Sequence, residues 1–357
     1  MPHARIPAGF RMPAEWEPHH ATWIAWPHNK EDWPGKFAPI PWVYVEIVRH
    51  LHRGERVCIL IEDLTAQKRI RRMLQRAGVN LERIDFFPFP SDRVWTRDFG
   101  PIFVKRASGN RSEIAVTNWK FNAWAKYSNW HNDNAIPAQV AATLKLPQWK
   151  PWIVRGKRPQ QVVLEGGSID VNGKGTLLTT EECLLSPVQQ RNPGLTRQDT
   201  ERMFRDYLGI RRVLWLGNGI AGDDTHGHVD DLARFVNPTT VVIAQESDPE
   251  DVNFRPLHEN FQLLQSMRDQ DGNLLNIVPL PMPKALIFDG QRLPASYVNF
   301  YIGNEVVLVP TFNDPHDREA LTTLAHLFPN RQVVGIHSVD LVWGLGTLHC
   351  LTQQQPR

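Results

Sequence analysis

The sequence predicts an α/β fold, because amphipathic helices and short apolar strands alternate along its whole length. In one early unit, the run 57–62 is typical of a buried strand, and apolar residues then recur at i, i+3, i+4 and i+7 over positions 70–77. Gly78 is placed to end that helix. Pairs of apolar segments lie between such units, so the pattern favours an α/β architecture over an all-helical or an all-β one.

Strand pairs form one recurring feature. They share apolar composition and a polar turn, and they comprise 161–171 with 175–180 and 296–302 with 305–310. In the first pair, the Asn172-Gly173 step is a strong signal for a β-hairpin.

A second recurring feature is a helix that is followed closely by a strand. Thr196 and Asp199 match a capping box, Gly209 ends the helix that they begin, and the strand 213–216 follows at once. This spacing is compatible with a ring of similar α/β modules around one centre.

A helix followed by a strand is also predicted near the C-terminus of the chain. We expect Asn313 or Asp314 to cap a helix that has Pro315 in its first turn. The strand 332–336 then follows this helix.

Composition excludes several classes of function. With 357 residues and 41% hydrophobic composition, the chain can bury a large core in one domain or in two smaller ones. Lys and Arg number 40 against 38 Asp and Glu, and these scattered charges predict no nucleic-acid or membrane partner. No apolar run is typical of a signal peptide or a membrane span, so we expect a cytoplasmic protein. Three distant cysteines argue against a disulfide framework, and a homo-oligomer remains open.

Cys350 lies near the end of the chain in an unusual setting. Gly344 and Gly346 let the backbone approach another group closely, His349 is adjacent, and the polar run 352–355 is a poor continuation for a core strand. A free cysteine is more often a buried core residue. A core thiol and a nucleophile therefore both stay open for Cys350.

The segment 222–235 places four carboxylates and two histidines within ten residues. It follows the predicted strand 213–216, and active-site groups collect on loops at strand ends. If the segment is extended, His226, His228 and Asp230 project to one side. The same spacing suits a metal ion, as in the metal-dependent amidohydrolases. We rank that hypothesis below thiol catalysis, because the other histidines show no second paired motif.

Two more carboxylates lie beside glycines within strand-like sequence. Asp98 occurs in 95-WTRDFGP-101 and Glu165 in 164-LEGGS-168. Glycine leaves open backbone around a carboxylate at a strand end, which suits an active site. The alternatives are a turn cap for Asp98 and an exposed residue for Glu165.

Together these segments resemble the agmatine deiminase family, which also includes bacterial peptidylarginine deiminases. The motifs follow the family's order over essentially the whole chain, and they are 12-MPAEWEPHHATWIAWP-27, WTRDFGP, LEGGSIDVNGKGTLLTTEECLLSPVQQRNP, GDDTHGHVDD, ASYVNFYIGNEVVLVPTF and LHCLTQQQP. The resemblance implies one catalytic deiminase domain over residues 1–357. It also implies a five-bladed α/β propeller of the guanidino-modifying (pentein) type, with the catalytic groups at its central axis.

The resemblance further implies a role for each matched residue. Cys350 takes the position of the nucleophile, His228 of the general acid and base, Asp98 and Asp230 of the guanidinium-binding carboxylates, and Glu165 of a buried glutamate. The implied reaction is hydrolysis of agmatine to N-carbamoylputrescine and ammonia through a covalent thiouronium on the cysteine, a step in putrescine biosynthesis. It requires no metal or organic cofactor, and a small guanidinium compound is the expected partner.

Four positions depart from the family pattern without removing a catalytic group. They are Phe99, His226, Leu345 and Thr347, and we expect them to reshape the substrate pocket.

Substrate choice is inferred from charge near the catalytic histidine. Agmatine ends in an amine, so an acidic partner is expected, and Asp224 is the candidate for the distal ammonium. Trp95 is expected to line the aliphatic stem, and Arg97 beside Asp98 suggests a structural ion pair. Deimination of peptidylarginine or another guanidine is the alternative.

Overall fold

The computed structural model describes residues 6–109, 111–155 and 158–357. Its helices are α1 Ile40–Gly54, α2 Leu64–Arg76, α3 Thr96–Phe99, α4 His131–Thr143, α5 Glu181–Leu185, α6 Arg197–Leu208, α7 Phe254–Ser266 and α8 Asp317–Leu327. Among the described residues, none of these helices is both long and apolar enough to cross a lipid bilayer.

The strands are short and are distributed along the whole chain. They are β1 His19–Ala25, β2 Arg56–Leu60, β3 Ile84–Phe87, β4 Ile102–Ser108, β5 Arg111–Thr117, β6 Gln148–Trp149, β7 Trp152–Arg155, β8 Arg158–Gln161, β9 Asp170–Val171, β10 Thr176–Thr180, β11 Arg212–Leu216, β12 Ala233–Asn237, β13 Thr240–Gln245, β14 Asn276–Pro281, β15 Ile287–Phe288, β16 Gln291–Arg292, β17 Tyr301–Ile302, β18 Val306–Thr311, β19 Gln332–His337 and β20 Gln353–Pro356. This confirms the predicted mixture of helices and strands.

Five of the described sheets are built on one pattern, in which a strand pairs antiparallel with a second strand, a helix follows, and a third strand pairs parallel with the second. Four of these units are continuous in sequence: β4–β5–α4–β6, β9–β10–α6–β11, β12–β13–α7–β14 and β17–β18–α8–β19. In the fifth, the C-terminal strand β20 pairs with β1, and α1 and β2 complete the unit, to which β3 is added. Both ends of the chain therefore share one sheet.

The helix ends follow the predicted chemistry in two cases. Thr196 and Asp199 form the capping box of α6, and Gly209 ends this helix with a φ of 71°. In α2, Asp63 accepts a hydrogen bond from the backbone N–H of Ala66, and the chain leaves the helix through Gly78 at a φ of 75°.

The start of α8 corrects a prediction. The helix begins at Asp317 after His316, so neither Asn313 nor Asp314 is its cap and Pro315 precedes its first turn. The Asp314 carboxylate instead accepts a hydrogen bond from the backbone N–H of His316 at 2.9 Å. Asn313 has a φ of 58°, a left-handed conformation that asparagine tolerates and that holds a turn outside the helix.

The first predicted strand pair is also only partly confirmed. The hairpin exists, since Val171 pairs antiparallel with Leu177. However, most of 161–171 is irregular, and Gly166–Ser168 forms a short 3-10 turn. The glycine pair permits this turn, which places Glu165 at the entrance to β9.

The glycines before Cys350 let the backbone approach other groups closely, as predicted, and these groups are aromatic rings. A Cβ atom on Gly344 would lie 2.6 Å from the ring of Trp33, and one on Gly346 would lie 2.6 Å from the ring of Trp95. Both rings belong to the same buried apolar cluster as Cys350. The segment that carries the thiol is therefore packed directly onto the core.

Candidate active site

Every one of the five units contributes a side chain from the segment that enters its first strand. These residues are Asp98 before β4, Glu165 before β9, His228 and Asp230 before β12, Asn299 before β17, and Cys350 before β20. All of them are buried. The repeated position explains how residues far apart in sequence come to share one site.

His228 lies among three carboxylates. Its Nε2 is 3.6 Å from Oε2 of Glu165, and its Nδ1 is 3.7 Å from Oδ1 of Asp98 and 3.9 Å from Oδ1 of Asp230. These distances are too long for strong hydrogen bonds. Among the described residues, His228 Nε2, Glu165 Oε2 and Asp230 Oδ1 are buried without a hydrogen-bond partner, which marks the place where a polar ligand is expected.

The charges around His228 favour its protonated form. Burial disfavours a charged imidazole, but Asp98, Cys183 and Glu165 together outweigh it and hold the pKa of His228 well above its ordinary value. Glu165 is itself kept ionised: burial opposes this, yet Arg191, whose Nε lies 3.1 Å from Oε1, lowers its pKa to about 2. His228 is thus equipped to donate a proton.

The Cys350 thiol is surrounded by negative charge. Its Sγ lies 3.8 Å from Oδ2 of Asp230, and the side-chain amide of Asn299 donates to it at 3.2 Å. Burial raises the pKa of Cys350 well above its ordinary value, and Asp230, Asp231 and Asp98 raise it further. The resting site therefore holds a protonated thiol, and a cation is needed to favour the thiolate.

Asp98 is oriented by two donors. The indole N–H of Trp124 donates to Oδ2 at 2.9 Å, and the backbone N–H of Gly167 donates to Oδ1 at 3.1 Å. Burial raises the pKa of Asp98 to about 7, and the neighbouring Asp230 and Glu165 contribute to the increase. The neighbouring His228 acts in the opposite direction but does not offset burial.

Asp230 is fixed from the opposite side. Nδ1 of His349 lies 2.6 Å from its Oδ2, and this contact lowers the pKa of Asp230 against the effect of burial. Nε2 of His349 lies 2.9 Å from Glu15, whose carboxylate also pairs with Arg97 and Arg234 at 2.8 and 2.9 Å. Arg97 therefore belongs to a buried structural network, and its ion-pair partner is Glu15.

A cavity of about 620 Å³ reaches the site, and its lining includes Cys350, Asp98, Trp95 and Asp224. Trp95 thus forms part of the cavity wall. Asp224 already accepts hydrogen bonds from Lys126 and from the hydroxyl of Tyr127. Its carboxylate enters the cavity as half of an ion pair.

Residues 222–232 are not extended, which corrects a prediction, and the strand β12 begins only at Ala233. His226 has a φ of 62° and Val229–Asp231 forms a 3-10 turn, so the side chains do not alternate as in a strand. His226 turns towards Ser186, at 3.2 Å from its hydroxyl oxygen, while His228 enters the site. Backbone N–H bonds from residues 227 and 228 to the Asp223 carboxylate hold this turn.

A metal site on the predicted spacing is therefore not formed by His226 and His228 together. Within the described ranges, two sets of side chains are close enough to share an ion, and neither includes His226. They are Glu165, Cys183 and His228, and Asp230, Asp231 and Cys350.

Several functional contacts were missed from the sequence. Asn299 lies in a segment whose apolar character suggested only a strand, and His349 was noted only as the neighbour of Cys350. Arg191 lies in the quoted motif that ends in QQRNP, but no role was inferred for it. The available signal for Asn299 was its position, since it precedes the first strand of its unit as the other site residues do.

The departures from the family pattern have definite places in the structure. The Thr347 hydroxyl donates to Oδ1 of Asn299 at 2.6 Å and so orients the amide that faces Cys350. Leu345 lines the cavity at a φ of 68°, and the Phe99 ring packs 6.1 Å from that of Phe121.

Comparison with known proteins defines the class to which this fold and site belong. Residues 11–356 match the family model of the Porphyromonas-type peptidyl-arginine deiminases, and the chain belongs to this family. The resemblance inferred from the sequence motifs is thereby confirmed.

The names of similar curated proteins indicate one activity within this family. The agmatine deiminase of Pseudomonas syringae pv. tomato is 35% identical, over 98% of this chain and 96% of that protein. The agmatine deiminase of Pseudomonas aeruginosa strain LESB58 is 34% identical, with the same coverage. Among solved structures, the agmatine deiminase of Enterococcus faecalis superposes with a TM-score of 0.88 at 32% identity, over 98% of this chain and 96% of that one.

Proposed function

We propose that this protein is an agmatine deiminase, which hydrolyses agmatine to N-carbamoylputrescine and ammonia with Cys350 as the nucleophile. One observation carries the proposal: Asp98 and Asp230 lie 3.7 and 3.9 Å from His228, and Asp230 lies 3.8 Å from the Cys350 thiol. This arrangement combines two anionic acceptors for a guanidinium with a nucleophile and an acid. The names of the curated relatives support the same activity.

Binding of the guanidinium prepares the nucleophile. Asp98 and Asp230 accept its N–H groups and fix its plane, so that the central carbon faces Cys350. The added positive charge offsets the carboxylates that keep the thiol protonated, and the thiol releases its proton to solvent. Binding of the substrate thus generates the thiolate that attacks it.

The reaction then proceeds in two halves. The Cys350 thiolate forms a bond to the guanidinium carbon, His228 protonates the departing nitrogen, and ammonia leaves. The covalent intermediate is an S-alkylthiouronium. A water molecule loses a proton to His228 and attacks the same carbon, and the carbon–sulfur bond breaks to release the ureido product. Glu165 keeps His228 oriented and favours its charged form.

Two further residues and the architecture of the chain fit the same function. Trp95 and Asp224 belong to the substrate channel, since both line the cavity that contains Cys350. The five similar units, and the site residue that each supplies, support a single-domain five-bladed α/β propeller of the pentein type.

A substrate panel tests the function. Agmatine, free arginine, a peptide with a C-terminal arginine and simple alkylguanidines should be assayed for both ammonia and ureido product. We expect agmatine to give the highest kcat/KM. An equal or higher value for arginine or for the peptide would overturn the assignment of agmatine while leaving the thiol mechanism in place.

A further inference from the structure

The end of the substrate that lies away from the guanidinium also needs a partner. In agmatine this end is an ammonium group, which an acidic side chain in the cavity can bind. Asp224 is only partly available, because the Lys126 ammonium and the Tyr127 hydroxyl already bind its carboxylate. A second carboxylate in the same cavity is less satisfied.

That carboxylate is Asp32. It lines the cavity that contains Cys350, and its side chain is only 1% exposed. Oδ1 accepts a hydrogen bond from Arg93 at 2.7 Å, whereas Oδ2 is buried and has no hydrogen-bond partner in the described part of the chain. An ionised carboxylate has acceptor positions on both oxygens, so half of this group is left unsatisfied.

The charge balance shows that Arg93 alone does not compensate this burial. Burial raises the pKa of Asp32 to about 6, even though Arg93 acts in the opposite direction. A second cation at Oδ2 would stabilise the ionised form.

A neighbouring hydroxyl is also unpaired. Tyr44 is fully buried, and its oxygen has no hydrogen-bond partner among the described residues. Burial raises the pKa of Tyr44, and the charges of Asp32 and Cys350 raise it further, so the hydroxyl lies within electrostatic range of both groups. A ligand group that carries several N–H donors can supply the hydrogen bond that the Asp32 oxygen lacks.

We infer that Oδ2 of Asp32 binds the distal ammonium of the substrate and makes Asp32 a determinant of specificity for an amine-terminated guanidine. The inference rests on the proposed function and adds a binding contact to it. Cys350 and Asp32 line one cavity whose walls include Trp95 and Trp124, and the inference requires the aliphatic chain of the substrate to extend between them. Asp224, shared with Lys126, makes the weaker contact.

Two substrates that differ only at the distal end test the assignment. Asp32→Asn and wild type should be compared with agmatine and with n-butylguanidine, which lacks the amine. We expect the KM for agmatine to rise at least ~10-fold with kcat within about two-fold, and the KM for n-butylguanidine to change less than about two-fold. Glu62→Gln is the control, because it removes an exposed carboxylate that lies outside the cavity lining, and both its KM values should stay within about two-fold.

The outcomes separate this inference from the proposed function. An unchanged KM for agmatine in Asp32→Asn, or an equal rise for both substrates, overturns the Asp32 contact while wild-type turnover preserves the proposed function. If wild type turns over neither compound, the proposed function fails, and calorimetric binding to Cys350→Ser still decides the contact. In that background agmatine should bind more tightly than n-butylguanidine, and adding Asp32→Asn should abolish the difference. A preference that persists, or that never existed, overturns the inference.

Discussion

His349 holds Asp230 in place through a contact of 2.6 Å between Nδ1 and Oδ2, while its Nε2 lies 2.9 Å from Glu15. Both ring nitrogens face carboxylate oxygens, so His349 bridges Asp230 and Glu15. One of the two proposed guanidinium acceptors is therefore anchored by a buried histidine that lies outside the cavity lining.

Replacing this histidine tests the anchor. His349→Gln removes the imidazole opposite Asp230, and breaking a buried pair costs ~3–5 kcal/mol, so we expect a lower melting temperature together with a fall of at least ~10-fold in kcat/KM. Steady-state kinetics and thermal unfolding measure the two effects. His316→Gln is the control, since His316 forms a half-exposed pair with Asp314 and should change neither quantity appreciably. Normal efficiency in folded His349→Gln would show that Asp230 needs no anchor.

A second prediction concerns Asp98 and Asp230, the two proposed guanidinium acceptors. Asp98→Asn and Asp230→Asn keep the side-chain size but lose the charge, and loss of a charge-assisted pair in a closed site costs ~2–5 kcal/mol. Each variant should lose at least ~30-fold in kcat/KM for agmatine. Asp85→Asn, which affects only the half-exposed ion pair with Arg56, serves as the control. Ordinary turnover by either active-site variant would remove that carboxylate from substrate binding.

Gly167 gives a steric prediction. A Cβ atom at this position would lie 2.6 Å from Nδ1 of His228 and 2.7 Å from Oδ1 of Asp98, so Gly167→Ala must displace groups that carry the chemistry. We expect kcat/KM to fall at least ~100-fold while the far-UV circular dichroism stays unchanged, because small displacements of reacting groups are costly. In the control Gly217→Ala, the nearest atom lies at 3.4 Å, an ordinary contact. A fully active Gly167→Ala would contradict the close packing around His228.

The pH dependence follows from the carboxyl groups with raised pKa values. Burial raises the pKa of Asp98 to about 7 and that of Asp32 to about 6, and both groups bind the substrate only when ionised. The kcat/KM for agmatine should therefore fall as pH is lowered from 8 to 5, and Asp32→Asn should lack the lower of the two steps. The effect of these groups on folding has the opposite sign. Their raised folded-state pKa values favour the native state at low pH, and this contribution is lost as pH rises from about 4 to about 7. A flat kcat/KM profile between pH 5 and 8 would count against both assignments.

The sequence predicted the helices and strands better than the contacts that bring the site residues together. The spacing of apolar residues identified the helices α2, α6 and α8 and the strands β2, β11 and β19, because burial of one face imposes a period. It failed over 161–171 and 222–235, where tertiary contacts of Glu165 and His228 decide the backbone and the local pattern does not. Asn299 and Asp32 were missed for a related reason: their partners lie in other units, and no local spacing records such contacts.

The central claim is that the thiol of Cys350 carries the reaction, and Cys350→Ser tests it most directly. A serine hydroxyl does not ionise near neutral pH, so the variant should fold normally, bind agmatine and release N-carbamoylputrescine at less than about one-thousandth of the wild-type rate. Cys58→Ala, which alters a buried thiol within β2, should retain most of the activity. Product formation by Cys350→Ser at more than about one-tenth of the wild-type rate would contradict the mechanism.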